Sequence, residues 1–215
     1  MRTFVKFCGL KDEAAVREVP AGGAAGFVVE VAGSPRTIPI EEVAALIELV
    51  PTEAEAWAVV VNPTAELVHR LFEEVGVDRI QVYGTVPAGL EFLEVHHLVP
   101  SIPVGPPGGN LPEPTVPPAE DYPRIHLDVA GQPLPGGSGV RPDWEVCAKI
   151  VDAHPGRKFV LAGGLNAENV RDALDTVRPW GLDVSSGIES APGVKDIEKM
   201  RGFVAAVTEY ESTHA

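Results

Sequence analysis

The chain has 215 residues, 45% hydrophobic and 22% charged, enough to bury a sizeable core without disulfide or metal staples. A formal net charge of -14 repels nucleic acid and anionic membrane at long range, which excludes both as partners but not a small anion held by local positive charge. Two cysteines, Cys8 and Cys147, make no disulfide framework, the N-terminus lacks the apolar core of a signal peptide, and no apolar run nears the roughly 20 residues that span a bilayer, so a cytoplasmic protein is expected.

Short Val/Ile/Phe-rich runs alternate with helical patterns, which is the signature of a parallel α/β sheet. In chain order the pattern predicts a strand at Thr3 to Cys8, a helix at Asp12 to Val19, a strand at Gly26 to Val31 and a helix at Ile40 to Leu49. A strand at Ala56 to Val61, a helix at Thr64 to Val75, a strand at Arg79 to Tyr83 and a helix at Ala88 to His96 follow. The second half reads as strands at His97 to Val104 and Arg124 to Asp128, a helix at Pro142 to Ala153 and a strand at Lys158 to Ala162. A helix at Asn166 to Asp175, a strand at Leu182 to Ser185 and a helix at Val194 to Glu209 close the chain. Thr64 and Asn166 are N-cap residue types, and Pro142 has the fixed φ that suits a first turn.

Eight strands with intervening helices in this length predict a (β/α)₈ TIM barrel over residues 1–215 as one domain. The segment from Gly105 to Pro118 interrupts the alternation with six prolines, which remove helical donors and clash with the preceding turn. Helix five is therefore expected to be reduced to or replaced by a Pro-rich loop. A domain linker is the competing reading, but strands on both flanks favour the loop.

Two glycine-centred segments near the C-terminus, Leu161-Ala-Gly-Gly-Leu-Asn166 and Asp183-Val-Ser-Ser-Gly-Ile-Glu189, each close a short apolar run. Backbone N–H groups approach an anion closely only where side chains are small, and a following helix N-terminus adds roughly half a positive charge. Gly163, Gly164, Ser185, Ser186 and Gly187 are thus candidate phosphate-binding residues, and the expected ligand is a small phosphate ester.

Catalytic residues of such barrels stand at the C-terminal ends of the strands. Cys8 ends the first strand, Asp128 ends the sixth, and Arg36 lies in the loop after the second. Each has a plain structural alternative: Cys8 as a small buried hydrophobe, Asp128 as a loop cap, Arg36 as a solvated turn residue. The functional reading of Arg36 is a guanidinium that grips a carboxylate through two hydrogen bonds. Lys6, two residues before Cys8, falls on the same strand face as the thiol.

Taken in order, Val5-Lys-Phe-Cys-Gly-Leu10, Gly26-Phe-Val-Val29 with Ser34-Pro-Arg36, and Asp128 with Gly136-Gly-Ser-Gly139 and Asp143-Trp144 form one constellation. Leu161-Ala-Gly-Gly-Leu165 with Asn169-Val170, and Asp183-Val-Ser-Ser-Gly-Ile-Glu189 with Pro192-Gly-Val-Lys-Asp196, complete it. The set resembles the phosphoribosylanthranilate isomerase family along nearly the whole chain. The resemblance implies an Amadori rearrangement of an N-phosphoribosyl aromatic amine in tryptophan biosynthesis, with no cofactor and no metal. It implies Cys8 as general base, Asp128 as general acid, Arg36 as the partner of the anthranilate carboxylate, and the glycine and serine turns as the phosphate cradle. Asp183 is either an orienting group for the substrate's amine or sugar or a strand-end acceptor. The Gly136 to Gly139 segment reads as a mobile loop over the site.

Around strand four this chain has Gln81-Val-Tyr-Gly84 where the family often has a Gln-Leu-His-Gly-like segment; Tyr83 replaces the imidazole hydrogen bond but not its titration near neutral pH. The six histidines are dispersed without metal-ligand spacing, and Trp57, Trp144 and Trp180 read as packing residues. Two other functions remain open at this stage: a related isomerase that handles the histidine-pathway ribonucleotide, and a non-catalytic barrel that binds phosphorylated sugars. A monomer or a homodimer is expected, the latter closing over the flank left bare by helix five.

Overall fold

The computed structural model describes residues 2–109, 111–112, 114–130 and 139–214. Eight parallel strands follow one another around a closed ring: β1 (Phe4–Cys8), β2 (Ala24–Val29), β3 (Glu55–Val61), β4 (Arg79–Tyr83), β5 (Leu98–Val104), β6 (Arg124–Val129), β7 (Lys158–Leu161) and β8 (Gly181–Val184). Closure comes from β1, which pairs with β2 in the register Lys6 to Ala24 and Cys8 to Gly26, and with β8 in the register Phe4 to Gly181 and Lys6 to Asp183. A two-residue strand, Thr37–Ile38, extends the sheet beside β2.

The strands are buried on both faces, and their period of two sorts the side chains into two cores. The large outer core packs Val5, Phe7, Phe27, Ile125 and Leu127 against the helices. Inside the ring, Phe4, Ala24, Trp57, Val99 and Val160 fill the floor, and Trp180 stacks on Phe4 with centroids 4.6 Å apart. Cys8, Val28, Val31 and Val59 form a second apolar cluster near the C-terminal mouth. Between floor and mouth lies a layer of polar side chains, Lys6, Gln81, His126 and Asp183, all buried.

Among the described residues six α-helices surround the ring: α1 (Glu13–Arg17), α2 (Ile40–Ile47), α3 (Ala65–His69, continued by a π-helical stretch Arg70–Val75), α4 (Trp144–Ala153), α5 (Val170–Val177) and α6 (Ile197–Thr213). Their starts are set by side chains that satisfy the first free N–H groups. Asp12 accepts from the Ala15 N–H at 3.0 Å, Thr64 from Leu67 at 3.1 Å, Asp143 from Glu145 at 3.0 Å and Asp196 from Lys199 at 3.1 Å. Pro142 thus stands one residue before the cap of α4 rather than inside its first turn. Asn166 heads a non-helical turn, accepting from the Glu168 and Asn169 N–H groups, and regular helix begins only at Val170.

Three further predicted elements change. No helix forms over Ala88 to His96; the crossover there holds only a three-residue 3₁₀ turn, Val95–His97. Gly89 sits at φ +82°, outside right-handed helical space, and Leu90 and Leu93 anchor the chain as a turn through a Leu93 N–H bond to the Leu90 carbonyl at 2.9 Å. The second strand begins and ends two residues earlier than predicted, because Glu30 at φ 55° turns the chain out of the ladder. The last helix starts at Ile197, since Val194–Lys195 pair antiparallel with Glu189–Ala191 across Gly193, whose φ is +77°. Between Val104 and Arg124 the described residues form turns and extended chain without a helix. Among the described residues no helix is long and apolar enough to cross a membrane, and no cluster of His, Cys, Asp and Glu side chains is placed to hold a metal ion.

Candidate active site

A pocket of about 590 Å³ opens at the C-terminal mouth of the ring. It is lined by Cys8, Arg36, Asp128, Asp183, Gly163, Gly164, Ser185 and Ser186, so eight of the nine residues singled out from sequence converge there. The ninth, Gly187, does not line the pocket; a Cβ on it would collide with the Leu165 carbonyl oxygen, so it is what lets the turns after β7 and β8 approach each other. Val28, Val31, Val59, Val61 and Tyr83 supply an apolar wall.

Cys8 and Asp128 reach the pocket from strands on different parts of the ring. The Asp128 carboxylate is held at both oxygens: Oδ1 accepts from the Val129 N–H at 2.8 Å, and Oδ2 accepts from the Tyr83 hydroxyl at 2.7 Å. Burial and the adjacent Asp128 carboxylate push the Tyr83 phenol well above its ordinary pKa, so it remains a hydrogen-bond donor across the working pH range. Burial also raises the Cys8 thiol, against the opposing pull of the Lys6 and Lys195 ammonium groups.

Beneath the thiol runs a buried polar chain. Lys6 Nζ pairs with Asp183 Oδ2 at 2.9 Å, and the same oxygen contacts His126 Nε2 at 2.9 Å. Gln81 Nε2 donates to Ser101 Oγ at 3.3 Å, and the serine hydroxyl hydrogen is then available to His126 Nδ1, 3.2 Å away. In this arrangement His126 Nε2 carries a hydrogen toward Asp183 and Nδ1 faces the serine hydroxyl. Burial alone would raise the Asp183 carboxyl, but Lys6 and the His126 hydrogen bond outweigh it and hold the group below its ordinary value. Among the described residues Asp183 Oδ1 is buried without a hydrogen-bond partner, in a residue that lines the pocket.

Arg36 crosses the rim above Gly9, where φ is +75° and a Cβ would stand 2.7 Å from the arginine Cδ. Its Nε and Nη2 donate to the two oxygens of Glu189 at 2.8 and 2.7 Å. Lys195 Nζ donates to Glu189 Oε1 at 2.9 Å and to the Ser185 carbonyl at 3.1 Å. Burial raises the Glu189 carboxyl, and the two cations more than reverse that and keep it ionised.

Both glycine-centred turns reach the pocket, but they are built differently from the helix-terminus expectation. Gly163 and Gly164 have φ of +88° and +62°, and α5 begins six residues later. Asn169 clamps the turn by donating from Nδ2 to the Gly164 carbonyl at 2.9 Å. After β8, Ser186–Ile188 form one 3₁₀ turn, while the Ser185 hydroxyl donates to the Cys8 carbonyl at 3.1 Å and ties β8 to β1. Both turns therefore meet the pocket without a regular α-helix starting directly behind them. Of the Gly136 to Gly139 segment, residues 136–138 lie outside the described residues; Gly139 packs near Gly164, whose Cβ would stand 2.7 Å from the Gly139 carbonyl oxygen.

The sequence places Asn169, Glu189 and Lys195 inside the resemblance segments without a role of their own, and does not single out His126. His126 shares the alternating inward face with Asp128, a signal the period of two contains; the pairing of Glu189 with Arg36 spans 153 residues and has no local signature.

The family model described as N-(5'phosphoribosyl)anthranilate (PRA) isomerase matches residues 5–206. An N-(5'-phosphoribosyl)anthranilate isomerase of Chelativorans sp. is 36% identical, over 96% of both chains, and that of Listeria welshimeri is 35% identical over 93% of this chain and 96% of its own. Among solved structures, the phosphoribosyl anthranilate isomerase of Thermus thermophilus superposes with a TM-score of 0.76 at 33% identity, covering 97% of this chain and 99% of that one. The Thermotoga maritima enzyme gives 0.77 at 28% identity, covering 96% and 99%. Matched along nearly its whole length by the family model and by relatives above the 30% level, the chain belongs to the N-(5'-phosphoribosyl)anthranilate isomerase family.

Proposed function

We propose that this pocket converts N-(5'-phosphoribosyl)anthranilate to 1-(2-carboxyphenylamino)-1-deoxyribulose 5-phosphate, the isomerisation of tryptophan biosynthesis, with Asp128 as general acid and Cys8 as general base. The observation that carries the reading is the convergence of a carboxyl and a thiol from different strands on one pocket that also holds two glycine turns and an arginine. Protonated Asp128 gives its proton to the furanose ring oxygen; the C1'–O bond breaks and the nitrogen lone pair forms the C1'=N iminium. Cys8 as thiolate then takes the C2' proton, and the C–H electron pair forms the C1'=C2' bond while the iminium pair returns to nitrogen. The resulting enaminol tautomerises to the ketone. Each proton transfer of this kind contributes about 10²–10⁴-fold.

The phosphate belongs against the Gly163–Gly164 and Ser185–Gly187 turns, the anthranilate carboxylate against Arg36, and the amine against Asp183 Oδ1, the buried acceptor without a hydrogen-bond partner among the described residues. A solved relative, 29% identical with a TM-score of 0.72, is described as a complex with reduced 1-(o-carboxyphenylamino)-1-deoxyribulose 5-phosphate, which supports a ligand of this class. A cytoplasmic enzyme, monomeric or homodimeric, acting without nucleic acid or membrane partners completes the reading. The test is a continuous fluorescence assay of phosphoribosylanthranilate consumption. Turnover by the wild type with losses of about 10²-fold or more in both Cys8→Ser and Asp128→Asn is expected; wild-type activity retained in either variant would remove that residue from its role.

A further inference from the structure

The acid and base assignment leaves a buried lysine unused. Lys6 is fully buried, two residues before Cys8 on β1, and both side chains turn into the ring. Its space comes from Gly26, the register partner of Cys8 on β2. A Cβ at Gly26 would stand 2.9 Å from both Lys6 Cε and Nζ and 3.2 Å from Cys8 Cα, so the ammonium and the thiol residue press on the same glycine. An enclosed ammonium is costly to desolvate, and a neutral side chain of similar length would fill the hollow without that penalty. The ammonium is nevertheless retained, and Asp183 Oδ2 at 2.9 Å fixes it.

The charged and titratable groups around the thiol are few. Lys6 faces it from β1, Asp183 from β8 and Lys195 from the hairpin that precedes α6. Tyr83 from β4, Asp128 from β6 and Arg36 from the loop after β2 line the same pocket. His126 is turned toward Asp183 Oδ2, 2.9 Å from its Nε2. Lys6 and Asp183 act on the thiol in opposite senses, the ammonium lowering its pKa and the carboxylate raising it, and the ammonium is the stronger of the two.

We propose that Lys6 is a positioning residue for Cys8: its buried ammonium, fixed by Asp183, is the charge against which the Cys8 thiolate forms. The inference rests on the reading of Cys8 as general base. Lys6 keeps its proton throughout and makes or breaks no covalent bond. The thiol proton leaves to solvent, the C2' proton replaces it on sulfur during turnover, and that proton is released before the next cycle.

The test reads Cys8 ionisation directly, through the pH dependence of its alkylation by iodoacetamide in a Cys147→Ala background. Lys6→Met is expected to move the alkylation midpoint up by about one pH unit or more, cutting the rate at pH 8 about tenfold, whereas Lys6→Arg stays within about threefold of the parent. Asp183→Asn removes the negative neighbour and keeps the ammonium, so its midpoint should fall. An unchanged midpoint in folded Lys6→Met overturns the proposal. If that variant does not fold, a midpoint that stays or rises in Asp183→Asn overturns it instead. The two readings fail separately: full turnover by Cys8→Ser would sink Cys8 as base without touching the alkylation result, while an unmoved midpoint beside an inactive Cys8→Ser would sink only the role of Lys6.

Discussion

Arg36 and Glu189 meet edge to edge, Nε on Oε1 at 2.8 Å and Nη2 on Oε2 at 2.7 Å, with Lys195 on Oε1 from the other side. A guanidinium gripped along one edge by a buried carboxylate has its plane set before any ligand arrives, and such paired, charge-assisted bonds are the strong ones. Glu189→Gln keeps the shape and removes the charge. It is expected to raise KM about 10–100-fold with kcat changed far less, since it loosens a binding group rather than the acid or base. Steady-state kinetics decide: a loss confined to kcat would detach the Arg36–Glu189 pair from carboxylate binding.

Tyr83 supplies the hydrogen bond to Asp128 Oδ2 at 2.7 Å, and the Phe variant keeps the apolar wall while deleting that donor. With only the Val129 N–H left on the carboxyl, kcat should fall about tenfold, equivalent to one hydrogen bond of ~1.4 kcal/mol, and KM should stay within about twofold. Because the phenol stays protonated through the working range, Tyr83→Phe should scale the pH profile of kcat without deleting a limb. A limb that vanishes in this variant would mean that Tyr83 itself titrates in turnover.

Gly187 lets the turns after β7 and β8 approach each other by carrying no side chain. Alanine there would drive a Cβ into the Leu165 carbonyl oxygen and to within 3.0 Å of Asn166 Cβ, neither of which can swing aside. The turns must part, so Gly187→Ala is expected to destabilise by about 1–3 kcal/mol and to weaken inhibition by inorganic phosphate. Thermal melting and phosphate inhibition constants check the two effects, and unchanged phosphate affinity would place the anion elsewhere.

The ring itself is legible in the sequence because strands buried on both faces read as short, mostly apolar runs, as Phe159-Val-Leu161 and Ala56 to Val61 do. Strand-end positions follow from the same logic and single out Cys8 and Asp128, whereas Asp183 comes with the family resemblance. The helices were less legible where glycine conformation decides: Ala88 to His96 has helical composition, and Gly89 at φ +82° overrides it. Contacts made across the ring left no local trace. Lys6 could be assigned to the face of Cys8 by its spacing, but its pairing with Asp183, 177 residues away, and the sharing of that carboxylate with His126 depend on closure of β1 onto β8.

The second cysteine gives a prediction about stability rather than catalysis. Cys147 is fully buried on α4, and burial, with the nearby Asp143 carboxylate, pushes its thiol from 9.0 up to about 12. The folded value lies above the unfolded one, so the fold favours the neutral thiol: this contribution is complete below pH 9.0 and is lost as pH rises toward about 12. Three units correspond to at most about 4 kcal/mol, of which roughly 2 kcal/mol is lost by about pH 10.5. Cys147→Ala removes the titration but leaves a small cavity, so it should be about 1–2 kcal/mol less stable than the wild type at pH 7. Cys8 and Tyr83, both raised by burial, titrate equally in the two proteins and cancel in the difference. Urea midpoints from pH 7 to about pH 10.5 should therefore converge, and a gap that stays constant would show that Cys147 remains neutral in the unfolded chain as well or ionises in the fold without cost.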